Sequence, residues 1–271
     1  MANEEIDYEE KKRLAIASLK IIGRIYEISP QISDGRLHYF IAGSLATNIL
    51  PLVKSMKILN IDKEGKATSK EIQIEIPEEV RIELLKLVRP SRSQDIDFVN
   101  VNKGPYECVK DEDVVPYPPN IRSGIEDDFD LIFPGFWEKL KEHGAMGDMT
   151  DDLESAIEMK SFHVAKAELL NGSSFYMPSL DSILFFKLRE VSLLKKSGLR
   201  NNNIKNKILV KADELRKMYE MFSKINSPTL KKLIDSKKKT IEEAIKLDEK
   251  NELDEIWFLD VSQFFSKYHH K

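Results

Sequence analysis

Apolar positions along the chain recur first at helical spacing and then at strand spacing. Over residues 4–28, Leu14, Ala15, Ala17, Leu19, Ile21, Ile22 and Ile25 make a broad apolar face, and the spacing predicts one long helix. "SPQISDG" breaks it, with Pro30 and Gly35 as punctuation. "LHYFIAG", Leu37 to Gly43, is short, aromatic and β-branched, which predicts a strand. Ser44 then stands as a natural N-cap for a helix through "LATNILPLVKSM", which Pro51 should end or kink. "KEGKATS" reads as a polar turn, and "KEIQIEI" alternates with a period of two, as a half-buried strand does. "PEEVRIELLKLV" reads as a helix with Pro77 at its first position and acids in its first turn.

The stretch "RPSRSQDIDFVNV", Arg89 to Val101, reads as a strand and yet carries Asp95 and Asp97. From Asn102 to Asp128 the chain is rich in Pro, Gly and charge, which predicts loops with short strands, and "LIFPGFWEKLKEHG" predicts a short helix ending near Gly144. "SFHVAKAELLNGSSFYMPS" predicts a hairpin turning at "NGS". After Pro178, "SLDSILFFKLREVSLLKKSG" is an amphipathic helix ended by Gly198. Three further helical patterns fill the rest: "ILVKADELRKMYEMFSKI", "SPTLKKLIDSKKKTIEEAIKLDE" and "NELDEIWFLDVSQFFSKYHH". No internal repeat is evident. The chain therefore reads as α+β, a small mixed sheet with helices over residues 1–190, followed by a helical part over 191–271; the change should fall near 175–200.

Composition adds limits. The chain has 271 residues, 41% hydrophobic and 32% charged, with a net charge of −4, which argues against a global polycation made for nucleic acid. The charge is uneven. Glu107–Glu158 holds fifteen acids against four bases, and Lys187–Lys250 holds eighteen bases against nine acids. Cys108 is the one cysteine, so no internal disulfide forms and a reducing compartment is expected. The N-terminal "MANEEIDYEEKKR" is unlike a signal peptide, and no apolar run approaches a membrane span, so a cytoplasmic protein without membrane partners is expected.

The two aspartates carry the chemistry. In a strand, positions i and i+2 face the same way, so Asp95 and Asp97 project side by side while Ile96 and Phe98 face a core. Carboxylates that close repel unless a cation sits between them, and Mg²⁺ takes carboxylate oxygens together with phosphate and water. A solvated edge strand is the plain alternative. Gly43-Ser44, at a strand-to-helix turn, lets backbone approach a ligand and offers free N–H groups to phosphate; an ordinary βα turn would look the same.

Together these residues resemble the nucleotidyltransferase superfamily of polymerase-β type, and "RPSRSQDIDF" resembles the strand entry of the abortive-infection (AbiEii and AbiGii) nucleotidyltransferase toxins. The resemblance spans roughly residues 37–190. It implies a sheet of nucleotidyltransferase type, with Asp95 and Asp97 as catalytic metal ligands for Mg²⁺. It implies contacts from Gly43, Ser44, Arg92 and Lys187 to an NTP, which includes ATP. A third acid is expected on a later strand, and Glu168 in "HVAKAELL" fits, with Lys166 on its face and His163 off it. The chain departs from the family in two places. About fifty residues separate Gly43 from Asp95, with an apparent insertion over 58–88, and "LRNNNIKNKILVKADELRKMYE" replaces the pattern usual after the lysine helix, leaving Arg200 and Asp213 as loose counterparts.

Other features carry plainer readings. "HGAMGDMTDD", His143 to Asp152, reads as a polar surface loop before a metal-binding one, and "EDDFD", Glu126 to Asp130, as a solvated acidic turn. The basic runs "KKSGLRNNNIKNK" and "DSKKKT" read as wet helix faces before a nucleic-acid surface. No phosphate-loop, dinucleotide or zinc-protease motif occurs. Two functions remain. One is Mg²⁺-dependent transfer of an NMP from an NTP to an acceptor hydroxyl on RNA, protein or a small molecule, by resemblance as the toxin of a toxin–antitoxin pair with a cognate antitoxin. The other is a non-catalytic interaction protein on the same fold.

Overall fold

A computed structural model of the chain describes residues 2–61, 66–91, 96–100, 121–135, 147–149, 163–196 and 202–235. It is α+β and divides into two units. One holds residues 1–158 and 163–178; the other holds residues 159–162 and 179–271. The main division falls after Pro178.

The first unit opens with helix α1 (Ala2–Ile28). Its apolar stripe is buried as the spacing predicts: Leu14, Ala15, Ala17, Ile21, Ile22 and Ile25 lie in the core. A short hairpin of β1 (Ile32–Ser33) and β2 (Arg36–Leu37) follows, turning on Asp34 and Gly35, both at positive φ. Strand β3 (Tyr39–Ile41) is buried throughout and runs into helix α2 (Gly43–Asn48).

The expected helix through "LATNILPLVKSM" stops there. A 3-10 turn at Leu50–Leu52 follows, and Val53 already begins strand β4 (Val53–Ile61). Pro51 has no N–H to continue a helix. The residues after it are held on both sides by β5 (Ala67–Glu75) and β8 (Val164–Leu169), so strand pairing overrides their helical propensity. β9 (Ser174–Pro178) closes a four-stranded antiparallel sheet in the order β5-β4-β8-β9. The β8–β9 hairpin turns where "NGS" predicts, with Gly172 at φ +82°. Residues 58–88, which read as an insertion, therefore supply part of β4, all of β5 and helix α3 (Glu78–Leu84). Pro77 is the N-cap of α3 and precedes its first turn.

Register divides the four-stranded sheet into two faces. Ile74, Met56, Ala167 and Phe175 stand in one cross-sheet row, and Ile72, Ile58, Ala165 and Met177 in another, on the core side. Gln73, Lys57, Lys166 and Tyr176 form a row on the opposite face, beside Glu75, Ser55, Glu168 and Ser174.

A second sheet has the order β3-β6-β7, with β6 at Ile96–Asn100 and β7 at Gly147–Met149. β6 is antiparallel to β3 and parallel to β7, so this small sheet is mixed. Part of the expected polar loop "HGAMGDMTDD" is thus a strand. Three residues carry no periodicity of their own, and only pairing with β6 reveals them. "EDDFD" is likewise helical, within α4 (Glu126–Ile132). Its acids suit a helix N-terminus, Phe129 and Ile132 are buried, and Asp128 pairs with Lys20 of α1 at 2.7 Å.

Side chains join the two sheets. Gln31 lies between β3 and β9. Its Oε1 accepts the Tyr176 N–H at 2.9 Å, and its Nε2 donates to Tyr176 O at 2.8 Å and Tyr39 O at 3.4 Å. The Tyr26 hydroxyl accepts the Ile41 N–H at 3.2 Å and donates to Tyr176 O at 3.4 Å. The edges of β3 and β9 thus satisfy backbone groups through the buried Gln31 and the half-buried Tyr26. Burial raises the Tyr26 phenol well above its usual value, and burial likewise pushes Tyr39 up to about 12.

The second unit contains α5 (Leu180–Lys196), α6 (Asn202–Ser223) and α7 (Pro228–Asp235), with α6 and α7 both packed on α5. Among the described residues, no helix is long and apolar enough to cross a membrane.

Candidate functional site

The Gly43-Ser44 turn follows β3 directly. Gly43 has φ +61°, a left-handed conformation that suits glycine because no Cβ clashes. Ala42, in extended conformation, is the N-cap, and no side chain caps the helix. Ser44 is therefore one residue inside α2. Its hydroxyl donates to the Ser91 hydroxyl at 3.1 Å instead of capping.

Two contacts hold α2 against the start of the aspartate-bearing stretch. The Ser44–Ser91 bond is one. Asn48, at 1% exposure, makes the other: its Nδ2 donates to Arg89 O at 2.8 Å and its Oδ1 accepts the Arg89 N–H at 3.2 Å. The side-chain amide thus clasps one backbone residue as a neighbouring strand would, and Ser18 of α1 accepts a further bond at 3.0 Å. Ser91 N–H donates to Ile132 O at 2.7 Å, so the same stretch is fixed on α4.

Strand β6 carries Asp97. Tyr39, Phe40 and Ile41 pair with Asn100, Val99 and Phe98, so one further step reaches Ala42 and Asp97. The Gly43 turn and Asp97 therefore lie at the same end of adjoining strands. On the other side of β6, Asp97 is in register with Asp148 of β7. Asp95 and Arg92 lie outside the described residues.

Glu168 is placed elsewhere. It stands on β8 in the four-stranded sheet, where Lys54 pairs with it at 3.5 Å and the Ser55 hydroxyl donates to it at 3.2 Å. Strand pairing brings Asp148, not Glu168, beside Asp97. Lys187 belongs to the helical unit, where it is 4% exposed and pairs with Glu214 of α6 at 3.5 Å. Asp213 is engaged within α6 by Arg216 and by Lys217, the latter at 2.6 Å. Although burial opposes it, these cations hold its carboxyl below the usual range. Arg200 lies outside the described residues.

Sequence reasoning did not single out Asp148, Asn48 or Ser91, which the structure sets beside the candidate residues. Asp148 had one signal, an acid following Gly147 in a stretch otherwise read as loop. Asn48 had none, since a buried amide that clasps backbone looks like any helical asparagine. Set against known proteins, the chain matches no family model, no curated protein and no solved structure.

Proposed function

We propose that the chain is a Mg²⁺-dependent nucleotidyltransferase on a mixed sheet of polymerase-β type, acting on an acceptor hydroxyl. One observation carries this reading: the Gly43 turn and Asp97 share one end of adjoining strands, with Asp148 in register on the third. In-register positions of a pleated sheet face the same way, so Asp97 and Asp148 would form a carboxylate pair, with Asp95 completing it. That donor set is all oxygen and anionic, which fits a hard divalent cation.

The turn at Gly43 and Ser44, with Arg92, would hold the triphosphate by its backbone and side-chain donors. Bound Mg²⁺ would supply positive charge to the triphosphate and the attacking oxygen. One carboxylate of the set takes the acceptor proton as the hydroxyl oxygen bonds to the α-phosphorus. The bond to the β-phosphate bridging oxygen breaks in line, and pyrophosphate leaves. Lys187 has no part in this proposal, because Glu214 holds it. A purely interacting protein would need no second strand position for an acid beside Asp97; Asp148 supports the enzyme.

The test incubates the protein with each labelled NTP, Mg²⁺, and total RNA, cell protein or small-molecule hydroxyl acceptors such as aminoglycosides. The wild type should label one acceptor class. Asp97→Ala and Asp148→Ala should each lose at least about a hundredfold in rate, while Glu168→Gln should retain most of it. Equal activity in Asp148→Ala and loss in Glu168→Gln would refute the assignment of the third acid. No transfer to any of the three classes would refute the enzyme. An acceptor in RNA or protein would make the toxin reading, with a cognate antitoxin as partner, the next to examine.

A further inference from the structure

The two edges of the four-stranded sheet differ. At β9 the backbone is met by Gln31 and by the Tyr26 hydroxyl. At the other edge, β5 pairs with β4 alone among the described residues. Ile76 N–H donates to Lys54 O at 2.9 Å, so these two residues form a hydrogen-bonded pair. Such pairs alternate along an antiparallel ladder. Ile74 and Ile72 therefore also turn their backbone groups to β4, and Gln73 and Glu75 turn theirs outward. No backbone group of the described residues meets them there.

The core row is left incomplete at the same edge. Ile58, Ala165 and Met177 are at most 2% exposed, whereas Ile72, in register with Ile58, is only half-buried. The ladder shifts register between Ile58 and Asn60, so the regular part of the edge is Ile72 to Ile76. This part holds neither lysine nor proline, which commonly guard an open edge. Gln73 and Glu75 are exposed on its outer face, and the Gln73 side-chain amide donates to the Glu75 carboxylate at 2.8 Å.

We propose that this edge binds a second copy of the chain, with the two β5 strands antiparallel about a two-fold axis at Ile74. "IQIEI" is self-complementary in that register. Ile74 meets its own counterpart and Ile72 meets Ile76 of the other copy, which covers the half-buried end of the core row. Gln73 stands opposite Glu75 in both halves, an amide against a carboxylate. These are the positions whose backbone points outward, so both pairs are hydrogen-bonded, each exchanging two backbone bonds. Moving the axis to Gln73 sets Glu71 opposite Glu75, and moving it to Glu75 sets that acid opposite itself; like charges so placed are destabilising. An axis at Ile72 draws in the irregular part of the strand. Complementarity on both faces selects a second copy over a foreign strand. Asp97 and Asp148 lie in the other sheet, so this proposal is independent of the nucleotidyltransferase reading.

The test is sedimentation velocity of the full chain. Pairing along one short edge makes a small interface, so the dimer should dissociate with a constant between about 1 μM and 1 mM. Gln73→Pro removes an outward N–H and none that the β4 ladder uses, and should weaken the dimer at least about tenfold. Gln73→Glu sets acid against acid and should weaken it at least about threefold, whereas Gln73→Lys should strengthen it by a similar factor. Urea unfolding of each variant, at concentrations where the wild type is monomeric, separates lost pairing from lost folding. Gln73→Cys and Glu75→Cys, each combined with Cys108→Ser, read the register. Opposed Cα atoms about 5.5 Å apart suit a disulfide, so an equimolar mixture of the two should cross-link under oxidised glutathione far more than either variant alone. A chain still monomeric at about 1 mM overturns the proposal. So does a dimer unchanged by Gln73→Pro, or cross-linking of either variant with itself that equals the mixture.

Discussion

Replacing Asn48 tests how the candidate site is held together. Asn48 is buried and makes three hydrogen bonds, to Ser18, to Arg89 O and from the Arg89 N–H. Each such bond is worth about 1 kcal/mol net, and more where truncation strands a buried partner. Asn48→Ala should therefore cost about 3 kcal/mol, which lowers the urea midpoint by roughly 1 M. Asn48→Asp keeps the acceptor for the Arg89 N–H but sets an anion against Arg89 O. The new carboxyl would ionise near 3.9 in the unfolded chain, and burial raises its value in the folded one. This variant should therefore be most stable below about pH 4 and lose stability as pH rises through the folded value. Urea unfolding between pH 3.5 and 8, with wild type as reference at each pH, reads both effects. A cost below about 0.5 kcal/mol for Asn48→Ala, or an Asn48→Asp variant that gains relative stability as pH rises, would refute the clasp.

Lys187→Met removes the ammonium that pairs with Glu214, leaves that half-buried carboxylate less well compensated and should cost about 3 kcal/mol in urea unfolding, with Glu214→Leu added to it recovering much of the loss. Unchanged stability together with lost NTP binding would assign Lys187 to the nucleotide instead. Tyr26 and Tyr39 both have raised phenol pKa values, so they stabilise the fold fully below pH 10 and lose that contribution as pH rises toward about 12. Circular dichroism across that range should show unfolding that begins later in Tyr39→Phe than in wild type. Gly43→Ala forces a Cβ into the left-handed region and should cost roughly 1–2 kcal/mol; a neutral result would mean the turn relaxes.

The legible parts of the fold are those where local pattern and tertiary contacts agree. The stripe of α1 and the β8–β9 hairpin follow from spacing and turn residues alone, because each buries one continuous face. β6 was readable despite its aspartate, since Ile96, Phe98 and Val99 outweigh the two polar positions, Asp97 and Asn100. "LATNILPLVKSM" failed for a physical reason. Its first half is helical, but its second half is the inner strand of a sheet, and the force deciding that lies more than a hundred residues away in β8. "NELDEIWFLDVSQFFSKYHH" and most of Asn102–Asp128 lie outside the described residues.

The site was legible where chemistry is concentrated in adjacent residues and illegible where it is assembled from afar. Gly43-Ser44 and Asp95-x-Asp97 advertise themselves through short spacing. The long separation between them is spanned by β4, β5 and α3, which leave the Gly43 turn and return to Arg89 beside it. Such an excursion changes sequence spacing without changing the distance between the ends, because the Asn48–Arg89 and Ser44–Ser91 bonds close the loop at its base. The acid proposed as the third is harder to read. A strand of three residues has no period to detect, so only its parallel register with β6 distinguishes Asp148 from the other acids of Glu107–Glu158. Glu168 drew attention because it lies in a clear strand, yet a clear strand says only that some sheet holds it. Register, which sets one residue beside another, decides which acids can share an ion.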